Sequence, residues 1–121
     1  MIKNVDLVTI PVSDQKRALA FYTEKLGFTV FTDKPFNDKQ RWIELKIGGA
    51  QTKVVLFTPP GQEDRVGGFT GLTLACDDLE ATHAELSARG VEFLGPPRKE
   101  PWGSMVMMKD SEGNQFVLSA K

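Results

Sequence analysis

This 121-residue chain contains one histidine and one cysteine, the side chains used most often for acid–base and thiol chemistry. The one histidine, His83, lies in the middle of a predicted helix, where a surface or helix-packing role is commoner than catalysis. The one cysteine, Cys76, ends a predicted strand with the parity of a buried side chain, so we expect it to be a small buried hydrophobe. No serine or cysteine has a histidine at a recognised motif spacing. Nucleophilic catalysis therefore lacks a base, and no catalytic residue is predicted.

Aromatic side chains are better candidates for function, and the chemistry that they offer is binding. Trp42 and Glu44 alternate with core-like residues along a predicted strand, so both should point to the face opposite the core. Trp102 lies in a loop between Pro101 and Gly103, and a loop tryptophan often lines a pocket. The alternative for each tryptophan is a plug in a cleft or a dimer interface.

Flexible and charged side chains add to this set. Met105 and Met107 share one face of a strand that is apolar on both sides, which suits an adaptable binding wall, although core filling is the commoner use. Phe57 has the same two alternatives as the tryptophans. Arg41 starts its strand, where parity is least informative. It could supply charge to a ligand or simply be solvated.

Hydrophobic periodicity and turn residues predict the elements that position these side chains. The predicted strands cover residues 5–12, 28–31, 41–47, 53–58, 71–76, 91–94, 104–108 and 115–120, and the predicted helices cover 15–26 and 79–89. A Pro-rich loop is predicted over 95–103.

The order of elements repeats. Asp14 and Asp78 occupy equivalent helix-capping positions, and Gly27 and Gly90 end the two helices. We predict one α+β domain made of two tandem β-α-β-β-β modules, residues 1–58 and 69–121, joined by a linker over 59–68. The modules should form curved sheets around a cleft. Strand parity places Val55 and Phe57 of the first module, and Val117 of the second, on the cleft side.

The residues predicted to bind a ligand are Trp42, Phe57, Trp102, Val55, Arg41, Glu44, Met105, Met107 and Val117.

Several spaced motifs resemble the glyoxalase/bleomycin resistance/dioxygenase family, also called the vicinal oxygen chelate superfamily. The first module carries the run from Val8 to Asp14, then Phe21-Tyr22 and Leu26-Gly27-Phe28; the second carries Asp77-Asp78, Gly90-Val91, Pro101-Trp102-Gly103 and Asp110-x-x-Gly113-Asn114. The resemblance covers the whole chain and implies the fold. It does not by itself imply one function, because the superfamily contains lyases, epimerases, dioxygenases, thiol transferases and metal-free drug-binding proteins.

The resemblance also implies where a metal would be held. Enzymes of the superfamily typically use four His or Glu side chains, one on each of four strands. The matching positions are Leu7 and Gly71, each seven residues before a capping aspartate, Val55 on the last strand of the first module, and Val117, three residues after Asn114. None of these side chains can donate a lone pair to a metal, so neither a metal nor another cofactor is predicted.

The leading prediction is therefore a metal-free small-molecule-binding protein of the bleomycin-resistance type, which sequesters an apolar or aromatic ligand in the cleft. One alternative is a lyase or dioxygenase-type enzyme with a displaced metal site, and another is a structural dimerisation module. Resemblance also implies a homodimer. A net charge of −1 without a basic cluster argues against nucleic-acid and membrane-surface partners. A lone cysteine and the absence of a long apolar run favour a cytoplasmic protein.

Overall fold

The chain consists of two compact units, each with one sheet and one main helix. The computed structural model describes residues 1–121, and the units are Met1–Val66 and Gly67–Lys121. Each unit has a first strand, a helix and then a run of strands, which is the predicted order and confirms the α+β class. No helix combines the length and the apolar character needed to cross a bilayer.

The first unit contains a four-stranded sheet. Its elements are β1 (Leu7–Ile10), α1 (Gln15–Ala20), a π-helical turn (Phe21–Lys25), β2 (Thr29–Pro35), β3 (Arg41–Lys46), β4 (Lys53–Leu56) and a short 3-10 helix (Glu63–Arg65). The strand order is β1-β4-β3-β2, with β1 parallel to β4 and the other pairs antiparallel. Because β2 and β1 lie at the edges, the pair β3 and β4 forms the centre of the sheet.

The first helix begins as predicted but does not remain α-helical to its end. The Asp14 carboxylate accepts a hydrogen bond of 3.0 Å from the Arg17 N–H, which is the predicted N-cap. Beyond Ala20 the helix widens into the π-helical turn. The Thr23 hydroxyl donates to the Leu19 carbonyl at 2.7 Å, so a side chain competes with the backbone for that acceptor. Gly27 then ends the helix with a φ of 77°, as predicted.

The second unit repeats this plan with one additional strand. Its elements are β5 (Phe69–Ala75), α2 (Leu79–Ala88), β6 (Glu92–Phe93), β7 (Arg98–Glu100), β8 (Gly103–Lys109) and β9 (Gln115–Ala120). The sheet order is β5-β9-β8-β6, and β7 pairs with β8 as well. The prediction of a structureless loop over 95–103 was wrong for β7, because Pro96 and Pro97 precede the strand rather than interrupt it.

The two units share the same pairing of first and last strands and the same kind of helix cap. Both first strands run parallel to the last strand of their unit, and the predicted cap of α2 is present, because Asp78 accepts from the Ala81 N–H at 3.1 Å. Along β9 buried and half-buried residues alternate, so the second sheet has one core face and one accessible face. The largest fully buried apolar side chains are Tyr22, Ile10, Ile43, Leu45, Leu56 and Val55 in the first unit, and Phe116 and Met108 in the second.

Candidate functional site

Three aromatic rings of the first unit contact one another and form what we call the aromatic cluster, Phe36, Trp42 and Phe57. The centroids of Phe36 and Trp42 are 6.1 Å apart with an interplanar angle of 30°, a stacked arrangement. Phe57 meets Phe36 edge-on, with ring centroids 4.8 Å apart, and its ring is tilted by 58° to that of Trp42 at a centroid distance of 5.2 Å. Such offset and edge-to-face pairs are the favoured geometries of aromatic side chains.

A hydrogen bond fixes the orientation of the indole in this cluster. The Trp42 Nε1–H donates to the Glu44 Oε1 at 2.7 Å, and both side chains are half-buried. The two residues lie two apart on β3, so strand alternation puts them on one face, as the sequence predicts. An indole held through its only donor has little freedom to rotate and presents a preformed surface.

The hairpin between β2 and β3 positions Phe36. The backbone N–H groups of Phe36 and Asn37 both donate to the Gln40 carbonyl at 3.1 Å, and the Asn37 side chain caps the turn by accepting from the Lys39 N–H. Pairing of β2 with β3 brings this turn beside Trp42. Sequence reasoning missed Phe36 because the predicted strand ended at residue 31. The available signal was Asn37, a typical turn residue, which would have predicted a longer hairpin with Phe36 beside its turn.

The rings differ greatly in exposure. Phe57 is 5% exposed, whereas Phe36 is 56% exposed and Trp42 is half-buried. Val55, another predicted ligand-binding residue, is fully buried on the neighbouring part of the chain. Phe57 therefore supports the cluster from below. Phe36 and Trp42 form the part of the aromatic cluster that a small molecule can reach.

Arg41 lies at the start of β3 and is paired rather than free. Its Nε donates to the Asp33 Oδ1 at 2.6 Å across the hairpin. Its backbone is held by Gln15, whose side chain accepts from the Arg41 N–H at 2.9 Å and donates to the Arg41 carbonyl at 2.7 Å. Arg41 and Gln15 also line an open polar groove of about 1070 Å³. The two hydrogen bonds between the Gln15 side chain and the Arg41 backbone, which the sequence did not predict, join the start of α1 to β3.

The second unit presents a methionine face, formed by Met105, Met107, Val117 and Ser119. Met105 is the register partner of Ser119, and Met107 that of Val117, so the four side chains point to the same side of the sheet. All four are half-buried, while their strand neighbours Val106, Met108, Phe116, Leu118 and Ala120 are buried on the other side. The structure thus brings three predicted ligand-binding residues onto one face.

Trp102 lies in the turn between β7 and β8 and is 57% exposed. His83 packs against Phe93, with ring centroids 4.4 Å apart, which confirms a helix-packing role. Cys76 is half-buried, more exposed than the sequence predicts, because it follows β5 at the point where the chain leaves the sheet.

The four positions where the resemblance implies metal ligands lie on the first and last strands of each unit. Leu7 and Val55 lie on neighbouring β1 and β4, where Thr9 is the register partner of Val55. Gly71 and Val117 lie on neighbouring β5 and β9, where Thr73 is the register partner of Val117. These four side chains contain no oxygen, nitrogen or sulfur, so they do not fit a metal ion. Nor does the structure gather three or more His, Cys, Asp or Glu residues in a group that could hold one.

Comparisons with known proteins agree with this architecture. The family model of the glyoxalase/bleomycin resistance protein/dioxygenase superfamily matches residues 4–118. YetH of Bacillus subtilis (strain 168) is 35% identical over 118 residues, which are 98% of this chain and 98% of that protein. Among solved structures, a superfamily member from Sphaerobacter thermophilus is 37% identical with a TM-score of 0.90, covering 99% of this chain and 98% of that one.

TnmS3, an antibiotic binding protein from Streptomyces sp. CB03234, is 38% identical with a TM-score of 0.85 over 98% of this chain and 96% of its own. Sequence motifs, strand order and these matches agree along nearly the whole length. The chain belongs to the glyoxalase/bleomycin resistance protein/dioxygenase superfamily.

Proposed function

We propose that this chain is a metal-free small-molecule-binding protein that holds an apolar or aromatic ligand without transforming it. The observation that carries the proposal is the aromatic cluster, in which an exposed Phe36 stacks on a Trp42 held by Glu44. An exposed phenyl ring costs free energy in water unless a partner covers it. The cluster therefore offers a rigid stacking surface to a planar ligand.

The energy available from such a surface sets the expected affinity. Burying about 150 Å² of apolar area contributes roughly 3–4 kcal/mol before the entropic cost of association. Fragments of one ring should therefore bind weakly. Micromolar dissociation constants need about 8 kcal/mol in total, which requires a larger ligand that also meets polar groups.

Two further findings support binding without chemistry. At the four positions where the resemblance implies metal ligands, this chain has Leu7, Val55, Gly71 and Val117. Hydrocarbon side chains and a glycine can neither hold a metal nor polarise a substrate. In addition, TnmS3, which is described as an antibiotic binding protein, shares the fold over nearly the whole chain at 38% identity.

The proposal is tested by ligand-dependent thermal stabilisation together with tryptophan fluorescence. A library of planar aromatic and amphipathic compounds is screened for a melting temperature that rises with ligand concentration. Because the chain has two tryptophans, the single-tryptophan variants Trp42→Phe and Trp102→Phe show which indole a hit quenches. We expect quenching to persist in Trp102→Phe, because Trp42 belongs to the aromatic cluster.

A hit should also be recovered chemically unchanged, as measured by mass spectrometry after prolonged incubation with the protein. Conversion of the ligand would favour an enzyme over a binding protein. If no member of a broad library raises the melting temperature, the cluster is packing, and the binding function is wrong.

A further inference from the structure

The edge of the second sheet is interrupted beside the methionine face. Strand β6 pairs with the end of β8, where Phe93 is opposite Met108, and the Leu94 N–H donates to the Met107 carbonyl at 3.0 Å. Strand β7 pairs with the beginning of β8, where Arg98 is opposite Met105. Between these two pairs the edge chain advances five residues, from Phe93 to Arg98, while β8 spans only three, from Met105 to Met108. Two extra residues therefore bulge away from β8.

An open groove occupies this bulge. It has a volume of about 350 Å³, and its walls come from the two strand edges and the bulge itself: Leu94, Gly95, Pro96, Arg98, Met105, Val106 and Met107. Every lining side chain except that of Arg98 is apolar, and Leu94 is 48% exposed. The volume is at the lower end of the range of about 300–1,000 Å³ for ligand pockets, which suits a ligand of two or three rings.

The guanidinium of Arg98 is partly exposed and lies beside the apolar wall of this groove. Its Nη2 is 3.7 Å from the Met105 sulfur, and the side chain shares a face with Met105 because the two residues are register partners. The only carboxylate near it, Glu100, is at the long distance of 3.7 Å, and the Arg98 side chain is 65% exposed. Nε and Nη1 remain available as donors.

We infer that the groove binds an organic anion whose apolar body lies on Met105, Met107 and Leu94 and whose carboxylate or sulfonate accepts from Arg98. The inference rests on the proposed function, small-molecule binding. It adds a binding groove in the second unit and names the class of ligand that this groove takes. A planar guanidinium presents paired donors that match two oxygens of a carboxylate or sulfonate. An apolar wall alone cannot recognise such a charged group. A weak, long contact with Glu100 leaves the positive charge available to a ligand.

The test uses two dyes that share one ring system, anilinonaphthalene sulfonate and the neutral N-phenylnaphthylamine. Both fluoresce when they enter an apolar site, so titration gives a dissociation constant for each. In Arg98→Gln we expect the dissociation constant of the sulfonate to rise roughly fivefold to tenfold, as for loss of one charge-assisted hydrogen bond, and that of the neutral dye to change little.

Lys99→Gln is the matched control. It removes the same charge from the neighbouring residue of β7, whose register partner Ser104 has the opposite parity to Met105. Its effect on both dyes should be small. Raising the ionic strength from about 0.15 M to 1 M should weaken the sulfonate complex of the wild type much more than that of Arg98→Gln.

The position of the dye is determined by NMR of isotope-labelled methionine methyl groups. The chain has four methionines, Met1, Met105, Met107 and Met108. The sulfonate should shift the Met105 and Met107 signals, whereas Met108, 1% exposed on the other face, should stay unchanged.

Three results would overturn the inference. These are equal losses for both dyes in Arg98→Gln, equal effects of Arg98→Gln and Lys99→Gln, or no shift at Met105 and Met107 in the wild type. Each leaves the proposed function standing if library ligands still quench Trp42, so the two failures can be told apart.

Discussion

Trp42 Nε1 donates a 2.7 Å hydrogen bond to Glu44 Oε1, two residues further along the same strand. The bond lies at the surface of the central pair of strands of the first sheet. It fixes the ring that contacts both phenylalanines of the aromatic cluster. Disorder of this single side chain would therefore disturb the whole stacking surface.

Glu44→Ala should release the indole, whereas Glu44→Gln keeps an acceptor within reach. We expect Glu44→Ala to weaken binding of a library hit roughly threefold to tenfold, since a net hydrogen bond contributes about 1 kcal/mol. Time-resolved anisotropy of Trp42, measured in the Trp102→Phe background, should show faster local motion in Glu44→Ala than in Glu44→Gln. Identical anisotropy in both variants would show that packing alone holds the ring.

Phe36→Ala should affect ligand binding more than stability. The ring is 56% exposed, so its removal should lower the free energy of unfolding by less than about 1 kcal/mol. The same change should weaken a stacking ligand by about 1 kcal/mol or more. Phe69→Ala is the control, because Phe69 is similarly exposed at 59% but belongs to the second unit. Equal binding by both variants would remove Phe36 from the site.

Trp102→Ala tests the predicted role of the loop tryptophan. The ring is 57% exposed, so the variant should fold normally by circular dichroism and thermal melting. If Trp102 contacts a ligand, its loss should weaken binding by about 1–3 kcal/mol in calorimetric titration. Unfolding of Trp102→Ala would show instead that the tryptophan supports the structure, and unchanged affinity would exclude it from the binding site.

The purified protein should contain no stoichiometric divalent metal. Leu7, Val55, Gly71 and Val117 offer no donor atoms, so dialysis against a chelator should leave the melting temperature unchanged. Elemental analysis after purification without a nickel column gives the direct measurement. Near one equivalent of zinc, iron, nickel or manganese per chain would contradict the prediction, and a fall in melting temperature after chelation would show that the metal is structural.

We also predict a homodimer. Both sheets are open, and the edge strand β2 exposes apolar side chains, Val30 at 49% and Phe31 at 54%. Open edges and exposed apolar residues favour association of identical chains. Light scattering after size exclusion should give twice the chain mass of 13.4 kDa. A monomer mass at high micromolar concentration would refute this prediction.

The sequence predicted the repeat well because its signals are local. Asp14 and Asp78 each accept a hydrogen bond at a helix start, and Gly27 and Gly90 each adopt a positive φ at a helix end. These properties depend on a few neighbouring residues and on the backbone conformations that glycine allows.

The features that the sequence did not predict depend on partners far along the chain. The Gln15 side chain bonds the backbone of Arg41, 26 residues away, and a glutamine gives no sign of its partner. The groove beside Arg98 arises because β6 and β7 both pair with β8 but in different registers. Hydrophobic periodicity carries no signal for such a change of register. Burial of Val55 likewise comes from neighbouring strands, since Thr9 and Glu44 are its register partners on either side.

The parallel pairing of the first and last strands in each unit has a consequence for folding kinetics. Leu7 on β1 pairs with Lys53, and Thr73 on β5 with Val117, so each sheet closes a loop of more than forty residues. Closure of such loops is entropically costly before any contact between the strands compensates it. Hairpins such as β2–β3 and β8–β9 should therefore form early, and docking of β1 and β5 should limit the rate at which each unit reaches its native state.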